Sequence, residues 1–415
     1  MGLFSQDEPE QQNEYQQVPN ASAAAPNSGT VCSGLSGNEM YCAALLDLRP
    51  GNLLVGNSVF SMGILRGIGS NIKVALGGEI TGYTDMIAQG RKLSYQRLTS
   101  ELQQNGAKGV AGVSSEMIFH NHGNEHNVEF LSIGSAVHPI NNQTGGQAFT
   151  TSADAQELFC QVDAGYRPVS FVFGNVAYSI GIGGNILGGL RKIAKGEVKS
   201  YSNIFNETRN LALQRIVQNA QKDGANAVIG IQTSILPFDQ GNIQEMVMIG
   251  TAAEHQLAGQ VLPDGGVITS DLTAEETWNI AKMGYMPQEL VLGTSVYSLG
   301  AIGGLTSSLK SMVHGEIDSL TQMIYGAREN SIGKLQAQAS QIGADDVLGI
   351  RTYIYDLGGD LIEFLAIGTA VKRVQGTNTH SPQLPPQAII RDKQTFYNSA
   401  EGHRAVNPSR MRGRR

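Results

Sequence analysis

Apolar residues recur every three or four positions in three long segments of the chain, residues 83–102, 201–220 and 320–339. This spacing predicts an amphipathic helix in each segment. The stripe of the third segment consists of Leu320, Ile324, Ala327, Ser331, Leu335 and Ala339. Small residues form the middle of every stripe, so we expect another element to approach each helix closely at that point.

A second set of signals surrounds each long helix in the same order. A glutamate stands three positions after Ser36, Asp154 and Thr273, which is a capping-box pattern and predicts a short opening helix. A proline then ends that helix, and β-branched and aromatic residues predict a strand. After the long helix, a glycine cap precedes two further strands that a short turn joins.

The whole set of signals occurs three times, so the chain is a tandem repeat. The segments that share one pattern are GAKGVAGV (106–113), GANAVIGI (224–231) and GADDVLGI (343–350). We predict an α+β fold of three tandem repeats, each an antiparallel sheet with a long amphipathic helix plus short helices. The predicted units are residues 36–138, 154–254 and 273–374, and the predicted disordered tails are residues 1–35 and 375–415.

The net charge of −7 is distributed unevenly along the chain. The first tail is acidic, whereas the last tail is basic and ends in RMRGRR. The body between the tails is acidic, which argues against a nucleic-acid-binding protein. We interpret the basic tail as a solvated segment, with contact to an acidic partner, RNA or an anionic membrane as the alternatives.

The location of the protein follows from what the sequence lacks. No apolar run is long enough to span a membrane. The N-terminal residues have neither the basic start nor the apolar region of a signal peptide. The three cysteines contain no C-x-x-C pair and do not suggest a disulfide framework. We therefore expect a cytoplasmic protein.

The repeated pattern GE…AR…GA-x-x-V-x-G-I…IGTAV resembles the YbjQ-like family of small domains described as heavy-metal-binding. The match runs through Gly315-Glu316, Ala327-Arg328, GADDVLGI and IGTAV, and through their equivalents in the second unit. The first unit has Gly90-Arg91 in place of Ala-Arg. The resemblance implies a dodecin-like α+β subunit that assembles into rings, typically pentamers. The three fused units, each with an opening helix, and the two tails are additions to that pattern.

Three sets of charged residues recur at matched positions. They are Glu79, Glu197 and Glu316; Arg91, Arg209 and Arg328; and Glu129, Glu245 and Glu363. Alternation along the last strand places Glu129 on the face of Leu131 and Ile133, which we expect to be covered. A covered carboxylate needs a partner, and a guanidinium fits it. We interpret these residues as structural ion pairs that lock helix to sheet or link neighbouring subunits; the alternative is a repeated acidic site for a metal or a cationic ligand.

No catalytic residues are assigned. Acid–base or nucleophilic chemistry needs a constellation that includes His, Ser or Cys beside the carboxylates. No such residue recurs with the repeated charges. We therefore predict that the protein is not an enzyme.

A histidine-rich turn occurs in the first unit alone. The segment FHNHGNEHNVEF contains His120, His122 and His126. Two of these histidines project to one side of a strand, and the third returns across the turn, so three imidazoles could bind one Zn²⁺, Ni²⁺ or Cu²⁺. The equivalent turns contain no histidine, so the segment is either a specialised metal site or a surface loop. A divalent transition metal is the one cofactor that the sequence suggests.

These observations lead to two hypotheses of different classes. The first is a non-enzymatic structural or scaffold protein whose tandem repeats assemble into a homo-oligomeric ring or barrel, with pentamers as the family precedent. The second is a heavy-metal-binding protein that uses the histidine turn or the acidic repeats.

Overall fold

The computed structural model describes residues 30–61, 78–122, 125–140, 147–179, 196–238, 243–298, 318–358 and 361–384. Within these ranges the chain forms three α+β units in tandem, which confirms the predicted fold class. Glu316 and the tail residues 1–29 and 385–415 lie outside the described residues.

Each unit has the same order of long elements. The first unit contains α1 (Gly37–Leu45), β1 (Leu48–Ser61), β2 (Gly78–Glu79), α2 (Thr81–Gln104), β3 (Gly109–His122) and β4 (Glu125–Pro139). The second unit contains β5 (Phe149–Thr150), α3 (Ala155–Asp163), β6 (Arg167–Ser179), β7 (Gly196–Glu197), α4 (Lys199–Lys222), β8 (Ala227–Phe238) and β9 (Ile243–Glu254). The third unit contains α5 (Ala258–Val261), β10 (Ile268–Thr269), α6 (Ala274–Lys282), β11 (Tyr285–Ser298), α7 (Asp318–Gln341), β12 (Asp346–Gly358) and β13 (Leu361–Arg373).

The opening helices α1, α3 and α6 begin as their sequences predict. Ser36, Asp154 and Thr273 each accept a hydrogen bond from the backbone N–H three positions on. The glutamate at that position accepts a hydrogen bond from the backbone N–H of the cap in return. Both halves of the capping box are therefore present in every unit.

The three long strands of each unit form an antiparallel sheet with the last strand in the centre. This central strand is β4, β9 or β13, and it pairs with the strands on both sides. Short strands cross between units: β2 pairs with β6, and β7 pairs with β11. Each of the first two units therefore donates a strand to the sheet of the next unit.

The long helix of each unit lies very close to the first strand of its own sheet. A Cβ atom at Gly174 would lie 2.2 Å from the carbonyl oxygen of Ala212, and one at Gly293 would lie 2.1 Å from that of Ser331. Any side chain larger than hydrogen would push the helix away. The small residues in the middle of the helical stripes thus mark the close approach that we predicted.

Each of α2 and α4 lies between two sheets. One apolar cluster joins Phe205 of α4 to Met246 of its own sheet and to Leu290 and Leu365 of the third sheet. Another joins Leu98 of α2 to Leu54 of its own sheet and Phe171 of the second sheet. We call the sheet face against a unit's own helix the inner face, and the opposite face the outer face. The helix of one unit thus covers the outer face of the next unit's sheet.

The chain after β13 returns to the second unit. Ser381 donates hydrogen bonds from its backbone N–H and its hydroxyl to Asp163, the latter at 2.6 Å. The backbone N–H of His380 donates to the Asp163 carbonyl at 2.9 Å. Residues 375–384, which we predicted as part of a disordered tail, therefore have a defined place, because the buried carboxylate of Asp163 holds them.

Candidate functional site: the joints between units

Consecutive units meet at a contact that we call a joint, and each joint contains a buried ion pair. In the first joint, Arg91 of α2 binds Glu245 of β9. The Nη2–Oε2 distance is 2.8 Å and the Nε–Oε1 distance is 3.2 Å. Both side chains are fully buried. The remaining nitrogen, Nη1, donates to the backbone carbonyl and the hydroxyl of Ser115.

The second joint repeats this arrangement. Arg209 of α4 binds Glu363 of β13 with the same two distances, 2.8 Å and 3.2 Å, and both side chains are fully buried. The guanidinium carbon also lies 4.7 Å from the centre of the Tyr178 ring and 5.4 Å from that of Phe205. Burial raises the pKa of the Glu363 carboxyl, and the adjacent guanidinium opposes that rise. The partners thus neutralise each other in a dry interior.

The predicted arginines and glutamates therefore meet, and they meet between units. A fork-shaped guanidinium that binds both carboxylate oxygens fixes orientation as well as distance. Removing one partner of such a buried pair would leave an uncompensated charge. Both carboxylates are fully occupied by their arginines, which leaves them unsuited to bind a metal.

The glutamates of the short strands β2 and β7 bind a different kind of partner. Glu79 binds Arg215 at 2.7 Å, and Glu197 binds Lys334 at 2.6 Å. These pairs also cross the two joints. Sequence reasoning missed these basic residues, although the first unit has Arg97 at the same helical position. The presence of a basic residue at this helical position in all three units was the signal that could have identified these partners.

Among the described residues, no unit lies against the outer face of the first sheet. Glu129 of β4 stands where Glu245 and Glu363 stand in the other sheets, but its side chain is partly exposed. Glu129 Oε2 lies 2.7 Å from His120 Nε2, and Glu129 Oε1 accepts a hydrogen bond of 3.2 Å from Asn57 Nδ2. The hydrogen bond from His120 lowers the pKa of Glu129. The Glu129 face of the first unit is thus only partly covered, because no preceding unit among the described residues lies against it.

The third unit presents the opposite end. Arg328 of α7 stands at the position of Arg91 and Arg209, and it is exposed. Among the described residues it forms no ion pair. One end of the chain thus displays the arginine of a joint, and the other end displays the glutamate.

The histidine turn is placed by the register of its hairpin. Residue 126 pairs with Asn121, and residue 122 pairs with Glu125. The side chains of His122 and His126 lie outside the described residues. The side chain of His120 binds Glu129. Within the described part of the chain, no group of three His, Cys, Asp or Glu side chains could hold a metal ion.

The opening helices form a second line of contacts between units. Trp278 of α6 donates a hydrogen bond of 2.7 Å from its indole N–H to Asp163 of α3. Burial, followed by repulsion from Asp154, raises the pKa of Glu157 to about 7. Glu39 of α1 and Glu275 of α6 add to this repulsion. The middle helix is therefore flanked by acidic residues from both neighbouring units.

The helices of the described residues do not include one that combines the length and apolar character needed to cross a membrane.

The YbjQ family, described as "Putative heavy-metal-binding", matches residues 51–139, 165–256 and 277–374. These matches cover more than half of the chain, so the chain belongs to this family. The helices α1 and α3 lie outside the matched ranges. The opening helices of the first two units are thus additions to the family domain.

Two kinds of relative were found. The chain is 28% identical over 246 residues to the Encapsulin nanocompartment protein Rv1762c of Mycobacterium tuberculosis, a match that covers 58% of this chain and 91% of that protein. It is 41% identical over 90 residues to the UPF0145 protein TV0671 of Thermoplasma volcanium, covering 21% of this chain and 70% of that protein. It is 37% identical over 86 residues to a UPF0145 protein of Colwellia psychrerythraea, covering 21% of this chain and 81% of that protein. Each UPF0145 match has the length of about one unit.

Proposed function

We propose that this member of the YbjQ family is a non-enzymatic structural protein whose chains assemble with one another into a homo-oligomeric ring or barrel. One observation carries the proposal. The outer faces of the second and third sheets are covered by the preceding unit, whereas no unit in the described part of the chain covers the outer face of the first sheet, where Leu53 and Val59 are exposed. An exposed apolar face of this kind is typical of an interaction site.

The position of the repeated charges supports a structural role. In both joints a glutamate accepts hydrogen bonds from two nitrogens of an arginine, and both side chains are fully buried, so neither is available to a substrate. The name of the Mycobacterium tuberculosis relative, an encapsulin nanocompartment protein, supports self-assembly. The proposal assumes the cytoplasmic location that we predicted from the sequence.

The test is the mass of the full-length protein at micromolar concentration, measured by size-exclusion chromatography with light scattering. We expect a species of several chains with a uniform size, with and without a chelator. A single chain under these conditions would rule out the proposal. Negative-stain images of the same fractions would then distinguish a ring or barrel from an open filament.

Metal binding remains the alternative function, and the family description is its support. Among the described side chains, His120 binds Glu129 at 2.7 Å, and no group of three His, Cys, Asp or Glu residues could hold a metal ion. Metal analysis of untagged protein against a His120→Ala/His122→Ala variant tests this alternative. We expect equal metal content in the two preparations. A loss of metal in the variant would establish the histidine site.

A further inference from the structure

We propose that the third unit of one chain covers the first unit of a second copy through a joint of the same construction as the two within the chain, with Arg328 binding Glu129 of the second copy. This inference rests on the proposed self-assembly and specifies the surfaces that perform it. It predicts a head-to-tail contact, in which two different faces of the same chain meet.

The open end of the first unit exposes apolar residues whose equivalents are buried. Leu53 is 45% exposed, whereas its equivalents Phe171 and Leu290 are 2% and 0% exposed. Val59, on the same strand face, is 59% exposed, whereas Val296 is fully buried. The first sheet thus has the outer face of a joint without the unit that covers it.

The far side of the third unit exposes the matching residues. Ile350 is 42% exposed, whereas its equivalents Ile231 and Val113 are 1% and 2% exposed. Ile231 and Val113 are buried because the next sheet of the chain lies against them. Within the described ranges, no further sheet lies against Ile350.

The exposed residues at the two ends are the two halves of one repeated contact. In the first joint, Val113 lies in one apolar cluster with Phe171. In the second joint, Ile231 lies in one cluster with Leu290. Each pair joins a residue of a strand bulge to the first strand of the following unit. The exposed residues at these two positions are Ile350 and Leu53.

A polar contact repeats in the same way. In the second joint, Ser202 accepts a hydrogen bond of 2.9 Å from the backbone N–H of Val296. Thr84 makes the equivalent contact at 2.9 Å in the first joint. Thr321 holds this position in α7 and is exposed. Its partner in a third joint is the backbone N–H of Val59 in the second copy.

Charge completes the match. Arg328 is exposed at one end, and Glu129 is partly exposed at the other. In a single chain, His120 occupies Glu129. The equivalent of His120 in the third unit is Leu357, which is buried. Formation of the third joint therefore requires Glu129 to leave His120 for the arginine, which offers two donors in place of one.

Repetition of one joint restricts the assembly. A joint of the same construction between chains would continue the row of units from one chain into the next. A closed ring of whole chains then contains a multiple of three units. This excludes a ring of five units and leaves a ring of five chains possible.

The test uses charge reversal at the two ends of the full-length chain. We expect Arg328→Glu and Glu129→Arg to separate the wild-type assembly into single chains at about 10 µM, because each places like charges across the joint. We expect the two variants to assemble again when mixed, since the two reversed residues attract each other and the two native residues also meet. Light scattering after size exclusion gives the masses.

Glu329→Lys is the matched control. Lys92, at the equivalent position of α2, stays exposed beside a formed joint, so this reversal should leave the mass unchanged. Circular dichroism melting of the separated variants verifies that each chain is folded.

The outcomes distinguish the inference from the proposed function. A wild-type protein that is a single chain defeats both. A wild-type assembly that survives both reversals defeats the inference alone, because the chains then meet through another surface. Separated variants that fail to assemble when mixed contradict direct contact between residues 328 and 129.

Discussion

The joint between the second and third units and the open ends of the chain contain the same residue types in opposite environments. Arg209 is fully buried against Glu363, whereas Arg328, one repeat later, is exposed. The local sequence is not the cause, since all three helices carry an arginine at this position. A neighbouring sheet is what makes the arginine part of a core.

The comparison also shows how each end tolerates the missing neighbour. An exposed arginine stays hydrated and needs no partner. A glutamate on a half-open sheet face is partly desolvated, and the first unit supplies His120 and Asn57 to it. The first unit is thus the one in which a private residue, His120, replaces the function of the absent arginine.

The largest expected effect comes from breaking the pair inside the chain. Arg209→Met would leave Glu363 buried without its counter-charge, at a loss of about 3–5 kcal/mol in the free energy of unfolding. Urea denaturation followed by circular dichroism measures this loss. Adding Glu363→Leu should recover most of the stability, because an apolar pair of similar volume needs no counter-charge.

The same change at the open end is the control. Arg328→Met, measured on single chains, should change the free energy of unfolding by less than about 0.5 kcal/mol, as exposed sites usually do. If the substitutions at positions 209 and 328 lowered the free energy of unfolding equally, the two arginines would not differ in burial as described.

The opening helices provide a second version of the comparison. Trp278 is buried against the second unit and donates to Asp163, whereas its equivalent in the first unit, Tyr41, is exposed. Trp278→Ala should lower the free energy of unfolding by about 3 kcal/mol, since it opens a cavity and removes one of the hydrogen-bond donors to the buried Asp163 carboxylate. Tyr41→Ala should lower the free energy of unfolding by less than about 0.5 kcal/mol.

Thermal unfolding of the two variants, made in the Arg328→Glu background that we expect to keep chains apart, gives this difference. A loss at Tyr41 as large as the loss at Trp278 would contradict the assignment of α1 as an open end.

Much of the fold was predictable because its signals are local. The capping boxes at Ser36, Asp154 and Thr273, the helical stripes and the glycine caps each depend on a few neighbouring residues. The exchanged strands β2 and β7 were not predictable, because a two-residue strand has no periodicity to detect. Their pairing depends on where the next unit lies, which no local pattern specifies.

The sequence predicted which arginines and glutamates form the joints, but it did not predict which arginine binds which glutamate. Repetition identified Arg91 and Glu245 as members of sets, and physical chemistry required a buried carboxylate to have a cation. Arg91 has an equally suitable glutamate in its own unit, Glu129, so residue types alone do not distinguish contacts within a unit from contacts between units. The distinction arises from the layering, in which each helix faces the next sheet.

A pH effect should distinguish the middle opening helix from the outer ones. The pKa of Glu157 is about 7 in the folded chain and 4.5 ordinarily. Between these values the folded chain holds a proton that the unfolded chain has lost, so this group's contribution to stability decreases as pH rises from about 4.5 to 7. Glu157→Gln removes the penalty, because glutamine carries no charge and can still accept the hydrogen bond from Asp154.

We expect Glu157→Gln to raise the free energy of unfolding by about 1–2 kcal/mol at pH 8 and by less at pH 5, with allowance for the partial exposure of the side chain. Urea denaturation at the two pH values measures the effect. Glu276→Gln, at the equivalent exposed position of α6, is the matched control, and we expect it to change the free energy of unfolding at pH 8 by less than about 0.5 kcal/mol. If Glu157→Gln were less stable than the wild type at pH 8, the neighbouring carboxylates would not destabilise the charged form of Glu157 as described.

The smallest expected effect concerns the residue that holds Glu129 in the single chain. His120→Leu places at this position the residue type that Leu357 supplies in the second joint, and it frees Glu129 for an arginine. Because a partly exposed ion pair contributes about 0–1 kcal/mol, we expect chains to associate up to about fivefold more tightly. The dilution at which the assembly dissociates, followed by light scattering, measures this change.

His120→Gln is a control that replaces the imidazole ring and keeps a hydrogen-bond donor at position 120. Glutamine can still donate a hydrogen bond to Glu129, so this variant should associate as the wild type does. If His120→Leu instead weakened association, then His120 would belong to the joint itself, and Glu129 would not have to leave it when a second chain binds. The His120–Glu129 contact would then be a permanent part of the interface, in contrast to the two internal joints, where arginine alone binds the carboxylate.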